Sequence, residues 1–364
     1  MQAQPAVLIG GMNLDVQAVP TASYATQPGG TVPGQITLTS GGVARNIAQC
    51  LGALMKQEQS PMLISIIGMD SAGDLLLSHW HSLHLSCNGI LRKAGVATSM
   101  TAYTFNQAGE VAASVADVRT VEEHLRPTDL QQFHMHIQQA GILVLDANLS
   151  PKTIQAACGV AHAAHVPIWF EPVSVVKAAR ATEVLSCLTY TSPNAQELIA
   201  MAAAIDPVHN TQAAHKLQLD LAAGSHESAA AQLHLLAPFV LSVLKAGVKH
   251  VILTLGSAGA ALCTLPSCGT RVTVQHLPAA AAQVVNTNGA GDCLVAGCLA
   301  CLLQGSSAVS SLAFGMVVAK EAVESRSNLP GLVNVDRMDA AAIKLLQQCS
   351  TYDLRPGHQP LAKL

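Results

Sequence analysis

The residues Asn286-Thr287-Asn288-Gly289-Ala290-Gly291-Asp292 run directly into an apolar segment, Cys293 to Leu303. Two glycines let the backbone approach an anion closely. A helix starting here would aim free N–H groups and the positive end of its dipole at that anion, and the aspartate stands where it can take a proton. Those are the requirements of phosphoryl transfer. The spacing is neither a Walker A loop, which needs Lys-Ser/Thr after its last glycine, nor the dinucleotide fingerprint G-x-G-x-x-G. An ordinary loop followed by a helix-capping Asp is the competing account of the same seven residues.

Three further sets of residues carry matching chemistry. Asn13 and Asp15 follow the first apolar run, and Ser40-Gly41-Gly42 opens a helical segment that carries Asn46. A carboxylate with two amides at the strand ends of an α/β sheet suits a polyhydroxyl ligand, although Asp15 taken alone is equally a turn or cap residue. Pro193-Asn194-x-x-Glu197 puts a carboxylate in the first turn of a helix, which is also the spacing of a capping box. Thr254-Leu255-Gly256-x-x-Gly259 ends a strand in a glycine turn that could accept a nucleotide phosphate or simply reverse the chain as a hairpin. His79, His81 and His84, and again His134 and His136, lack a carboxylate or thiolate at ligand spacing and read as solvated helix-surface residues.

The elements that must position these groups follow from composition and periodicity. Half of the 364 residues are hydrophobic and only 11% are charged, against roughly 25% in ordinary soluble proteins, so Ala, Val and Leu do the packing. A formal charge of −3 without a Lys/Arg run excludes an electrostatic footprint for nucleic acid or an anionic membrane. No apolar run reaches the roughly 18 residues of a membrane span, and the N-terminus lacks a basic n-region, so small-molecule ligands and a non-secreted protein are expected. The ten cysteines are scattered through apolar segments and read as reduced core residues; Cys298 and Cys301 have no second pair to complete a zinc site. Strand-like runs at 7–10, 63–67, 142–145, 166–170 and 251–255 alternate with helix-like segments at 43–55, 72–83, 152–164, 195–204 and 232–246. That alternation predicts a mainly parallel sheet with helices on both faces. Two regions break it. Residues 13–40 lack a helical period, and 97–117 reads as a hairpin about the Asn106-Gln107-Ala108-Gly109 turn; together they predict a small β-sheet lid. Residues 206–228 read as an insertion or loop.

Taken in order, these residues resemble the ribokinase-like, or PfkB, family of sugar and nucleoside kinases, over nearly the whole chain from Val7 to about Pro330. Its two signatures stand here as Ser40-Gly41-Gly42-Val43-Ala44-Arg45-Asn46-Ile47-Ala48 and the 286–292 loop. The resemblance implies an α/β fold, a three-layer α/β/α Rossmann-like kinase domain over 1–350 with the lid at about 13–40 and 97–117. Residues 351–364 are then an exposed C-terminal tail. It implies Asp292 as the base on the acceptor hydroxyl, with the amides of Gly289, Ala290 and Gly291 holding the transferring phosphoryl. Asn13, Asp15, Gly41, Gly42 and Asn46 would bind the substrate. Asn194, Thr254, Gly256, Gly259, Asn286 and Thr287 would bind ATP, and Glu197 would organise Mg²⁺ with Asn194 through water. K⁺ is a candidate activator, and a homodimer through the lid a candidate assembly. Asn286 departs from the Asp with which most relatives begin the loop, lowering the local charge by one, although an amide can still cap it. This Asn, Asp146-Ala147-Asn148-Leu149-Ser150 and Phe170-Glu171-Pro172-Val173-Ser174 are most similar to the pseudouridine kinases, which phosphorylate the 5′-hydroxyl of a C-nucleoside. Other sugar or nucleoside kinases, or a non-catalytic nucleoside binder, are the alternatives. Glu171 and Lys177 lie near the cleft, where a buried ion pair at a strand end accounts for them as well. Ala362-Lys363-Leu364 differs from the Ser-Lys-Leu peroxisomal address only by Ser to Ala, giving peroxisomal over cytosolic location as the expectation.

Overall fold

Strand β1 (Ala6–Ile9) shows how the apolar runs are used: Val7 and Ile9 pack into one hydrophobic layer, Ala6 and Leu8 into another, and all four are buried. A strand covered on both faces has no polar side, so it reads as a continuous run rather than an alternation. A computed structural model of the chain describes residues 4–21, 31–106, 111–207, 228–266, 269, 271–325 and 335–354. The strands that follow are β2 (Asn13–Pro20), β3 (Gly34–Gly41), β4 (Met62–Gly68), β5 (Ile90–Lys93), β6 (Met100–Phe105) and β7 (Val111–Asp117). After them come β8 (Ile142–Asp146), β9 (Ile168–Glu171), β10 (Tyr190–Thr191), β11 (His250–Thr254), β12 (Ala260–Thr264), β13 (Val272–Leu277) and β14 (Ser350–Leu354). The helices are α1 (Val43–Leu54), α2 (Ser71–Ser82), α3 (Thr120–His124), α4 (His134–Gln138) and α5 (Pro151–Ala163). They continue with α6 (Ala195–Ile205), α7 (Ala229–Lys245), α8 (Ala290–Leu302), α9 (Ala308–Val323) and α10 (Val335–Leu346).

Ten strands form one sheet in the order β14-β13-β12-β11-β10-β9-β8-β1-β4-β5. Pairing is parallel from β5 to β11 and antiparallel among β11, β12, β13 and β14, so the sheet is mainly parallel, as expected, with an antiparallel flank. Side chains of α5, α6 and α7 fill one layer, and those of α1, α2, α8, α9 and α10 fill the other. Ser150 caps α5 by accepting from Thr153 N, and Asp70 caps α2 by accepting from Gly73 N, so both helices start where their orphan donors are met.

The region expected to form a lid is a separate four-stranded sheet, β3-β2-β6-β7. Register sorts its two faces. Leu38, Val16, Ala102 and Val115 form one row, with Ile36, Ala18, Thr104 and Ala113 in the next on the same face. Asp15 with Thr39 and Thr101, and Gln17 with Thr37 and Tyr103, occupy the other face. Asp15 is buried, whereas Ile36 is 72% and Val115 75% exposed, so the apolar face is turned away from the body of the protein.

One boundary moves. The tail expected from 351 begins as β14, antiparallel to β13 with Leu354 buried, because the edge of the sheet offers unpaired backbone groups that Ser350–Leu354 satisfies. The Asn106–Gly109 turn beyond Asn106, most of the 206–228 segment and Ala362-Lys363-Leu364 lie outside the described residues. Among the described residues no helix is long and apolar enough to cross a membrane.

Candidate active site

A buried carboxylate organises the strand ends. Asp146 closes β8, is fully buried, and accepts from Gly11 N at 2.8 Å, Ala44 N at 2.9 Å and Asn148 N at 2.9 Å. Three amides replace the water such a group would otherwise lose. Desolvation still raises its pKa, and the bonds from Gly11, Ala44 and Asn148 oppose the rise. The approach demands glycines: a Cβ on Gly10 would stand 2.3 Å from the Asp146 carboxyl carbon. Gly42, at φ 102°, would put a Cβ 2.3 Å from Gly11 O. The turn from β1 into β2 and the first turn of α1 are thereby tied together. The sequence singles out Asp146 only within the Asp146-Ala147-Asn148-Leu149-Ser150 segment and as a charge ending the apolar run Ile142-Leu143-Val144-Leu145, and assigns it no role.

That junction sets the expected substrate residues side by side. Asn13 Nδ2 donates to Asp15 Oδ1 at 2.6 Å, and a Cβ on Gly41 would fall 2.4 Å from Asp15 Oδ2. Asp15 is not capping a turn; it sits within β2, paired with Thr39 and Thr101. Burial raises its pKa to about 6, against the pull of Arg45 and the Asn13 bond. Asn46, one turn into α1, donates from Nδ2 to Asp292 Oδ2 at 2.7 Å, joining the two signature segments across 246 residues.

Asp292 is the third residue of α8. Gly289, left-handed at φ 77°, is the N-cap and makes no side-chain cap bond, so the helix-capping account of Asp292 does not hold. Desolvation raises its pKa to about 7, with the Asn46 bond lowering it, Asp146 raising it and Arg45 lowering it. A carboxylate poised near neutrality is a proton acceptor whose strength matches the working pH. Asn286 Oδ1 accepts from Asn288 N at 3.0 Å, so the amide does cap the loop, while Asn286 N donates to Val323 O at 3.1 Å. Ala290 N makes a long bond of 3.3 Å to Thr287 O, which an anion at the helix end would compete for. Behind the loop, α8 is buried on all sides from Cys293 to Ala300, and a Cβ on Gly297 would lie 2.7 Å from Gly315 Cα of α9.

A cavity of about 730 Å³ opens beside this helix end. Asn194, Thr254, Gly256, Gly259 and Thr287, all expected to contact nucleotide, line it together with Ala290 and Gly291. Much of its remaining wall is apolar, with Ala279 to Ala282, Val284, Leu294, Met316, Ala319 and Val323, and Ser257 and Lys320 add polar side chains. The Thr254–Gly259 segment is a hairpin turn as well: β11 and β12 pair antiparallel across it, and Gly259 sits at φ 96°. Hairpin and pocket wall are one structure.

Asn194 and Glu197 do form a capping box, Asn194 Oδ1 accepting from Glu197 N at 2.9 Å and Glu197 Oε2 from Asn194 N at 3.0 Å. Burial raises the Glu197 pKa. Of the two accounts of Glu171 and Lys177, the buried ion pair does not hold. The Glu171 carboxylate accepts from Ser192 Oγ, while Lys177 Nζ donates to Asn148 Oδ1 at 2.7 Å. Burial holds the Glu171 pKa well above its ordinary value, opposed by the Ser192 bond and reinforced by the negative charges of Glu197, Asp292 and Asp146. Such mutual repulsion is what a divalent cation relieves, so the donor set fits one. Among the described residues no three His, Cys, Asp or Glu side chains converge for direct chelation.

The fold is that of solved sugar kinases. Ribokinase from Giardia lamblia superimposes with a TM-score of 0.73 at 18% identity, covering 93% of this chain and 99% of that one. Arabidopsis thaliana ribokinase complexed with ribose and ATP gives 0.70 at 21%, covering 95% and 99%. Among curated proteins, a pseudouridine kinase of Arabidopsis thaliana is 36% identical over 372 positions, 92% of this chain and 95% of its own length. A pseudouridine kinase of Escherichia coli K12 is 26% identical, over 85% of this chain and 87% of its own. The sequence model of the pfkB family of carbohydrate kinases matches residues 4–330, and with both signature segments meeting at one site the chain belongs to that family.

Proposed function

We propose that this protein transfers the γ-phosphoryl group of ATP to the 5′-hydroxyl of pseudouridine, giving pseudouridine 5′-phosphate and ADP. The observation that carries the reading is the Asn46–Asp292 bond, which joins the polar floor beside Asp15 to the helix end facing the nucleotide-sized cavity. The acceptor identity rests on likeness to the two pseudouridine kinases.

Asn13, Asp15 and Asn46, over the glycine backbone at 41–42, hold the ribose hydroxyls so that the 5′-oxygen faces Asp292. Asp292 takes the hydroxyl proton as that oxygen bonds to phosphorus and the bond from phosphorus to the β-bridging oxygen breaks. The N–H groups of Gly289, Ala290 and Gly291, at the positive end of α8, stabilise charge on the transferring oxygens. The apolar slot between 279–282 and α9 accepts adenine by shape. Glu197 and Asn194, with Glu171 nearby, would hold Mg²⁺ through water, and the ion would neutralise phosphate charge. K⁺ activation near the catalytic loop belongs to the same reading. So does dimerisation through the small sheet, which the exposed Ile36, Leu38 and Val115 support.

Steady-state turnover with ATP–Mg²⁺ against a panel of pseudouridine, uridine, adenosine, ribose and fructose tests the reading. Preference for pseudouridine is expected, measured as kcat/KM. Preference for a free sugar overturns the acceptor assignment, and tight nucleoside binding without turnover overturns the enzyme.

A further inference from the structure

Arg45, on α1, is the one deeply buried cation at this site among the described residues. Its residue is 2% exposed. Nη1 donates to Ser40 O at 2.8 Å, where β3 leads into the helix, and to Asn46 Oδ1 at 2.6 Å; Nη2 donates to Gln49 Oε1. The bond to Asn46 Oδ1 fixes which way that amide faces. With its oxygen held by the guanidinium, Asn46 can present only Nδ2 to Asp292. A flipped amide would instead bring an oxygen against the carboxylate.

The guanidinium is an expensive way to orient an amide. Nε is buried without a hydrogen-bond partner, and desolvation lowers the Arg45 pKa to about 10 even though Asp15 and Asp292 both favour the charged form. Its buried charge is matched by two carboxylates on separate elements, one on β2 and one on α8. Each of those carboxylates is raised by burial and drawn back by Arg45.

We propose that Arg45 is a positioning residue for phosphoryl transfer: a single buried counterion shared by Asp15 and Asp292, which also locks the Asn46 amide in the orientation that aims the Asp292 carboxylate. The inference rests on Asp292 acting as base. The groups facing Asp292 are Arg45 and Asn46 from α1, Asp146 at the end of β8, Glu171 at the end of β9, and the adjoining thiols of Cys50 and Cys293. Arg45 is the only cation in that set, so its loss leaves the carboxylate facing negative and neutral groups alone. The ionised form of Asp292 is then disfavoured and its pKa rises.

The experiment compares Arg45→Met and Arg45→Lys with the native protein by kcat and KM for both substrates and by the pH profile of kcat/KM. In Arg45→Met the acid limb moves to higher pH by roughly one unit, the low end of what a nearby opposite charge does. KM for the nucleoside rises with it and KM for ATP does not. Arg45→Lys keeps the charge and loses the fork, so its acid limb stays in place while kcat falls about tenfold, the scale of a misaimed proton acceptor. A folded Arg45→Met with an unmoved limb overturns the proposal. Should Arg45→Met fail to fold, Arg45→Lys decides: lowered kcat with an unmoved limb supports the proposal, and native kcat overturns it. Asp292→Asn run in parallel separates the two readings. Turnover retained there overturns the base and the Arg45 role together, whereas a dead Asp292→Asn beside an unmoved Arg45→Met limb overturns only the latter.

Discussion

Replacing Asp292 by Asn changes no volume and removes only basicity. The amide can still present an oxygen to Asn46 Nδ2, so the 2.7 Å bond and the packing of α8 survive. Without a proton acceptor in reach of the 5′-hydroxyl, kcat falls by about 10²–10⁴, equivalent to about 3–5 kcal/mol of lost transition-state stabilisation, with KM values nearly unchanged. Stability moves the other way, and its sign can be worked out. The folded-state pKa of Asp292 is raised to about 7 from an ordinary 3.8. Above pH 4 the unfolded chain therefore releases a proton that the folded chain retains, and stability declines as pH rises toward 7. The penalty is complete above that value. At about 1.4 kcal/mol per pH unit its ceiling is about 4 kcal/mol, and partial solvation of the carboxylate reduces it to on the order of 1–3. Asp292→Asn removes the penalty. The variant should be nearly inactive, yet unfold at a higher denaturant concentration than the native protein at pH 8, and lose that advantage at pH 4. Chemical denaturation at the two pH values, alongside initial-rate assays, reads both arms. Turnover within a few-fold of native refutes the base, and equal or lower stability at pH 8 refutes the desolvated carboxylate.

Asp15→Ala should raise the nucleoside KM at least tenfold while leaving ATP binding within about twofold, because a lost charged acceptor for hydroxyls is worth roughly 1.5–3 kcal/mol; equal loss for both ligands by calorimetry would point to a folding defect. Asn286→Asp should keep kcat within about threefold, since either side chain accepts from Asn288 N across the same turn. A folded but inactive Asn286→Asp would show that the loop tolerates no added charge. Amides of β2, β3, β6 and β7 should gain protection from hydrogen exchange when nucleoside binds, and unchanged rates there would refute closure of the small sheet.

Much of the parallel half of the fold was legible because burial on both faces writes a strand as an unbroken apolar run, as in β1, β4 and β8. The antiparallel flank was not. β14 is a polar edge strand in which Leu354 alone is deeply buried, so it looked like a tail, and within the parallel part β10 has two residues, too few for any period. The site motifs were legible wherever glycines force a close approach, at 41–42 and 289–291. Asp146 stayed hidden because its partners Gly11 and Ala44 stand 135 and 102 residues away, a relation no local spacing encodes. The sequence left Glu171 and Lys177 between a place near the cleft and a buried ion pair; each side chain instead finds a partner from another segment, Ser192 and Asn148.

The all-round burial of α8 and its near backbone contact with α9 at Gly297 and Gly315 have a mechanical meaning. A helix wedged on every side cannot travel toward its substrate, so in the proposed reaction it serves as an anvil, and a closing stroke falls to the small sheet. The two parts are then free to vary on different schedules. Substitutions at Gln17, Thr39 or Tyr103 on the inner face of the sheet can retune which acceptor is held without disturbing the anvil, whereas a single methyl group at Gly297 would unseat it and abolish turnover for every acceptor alike.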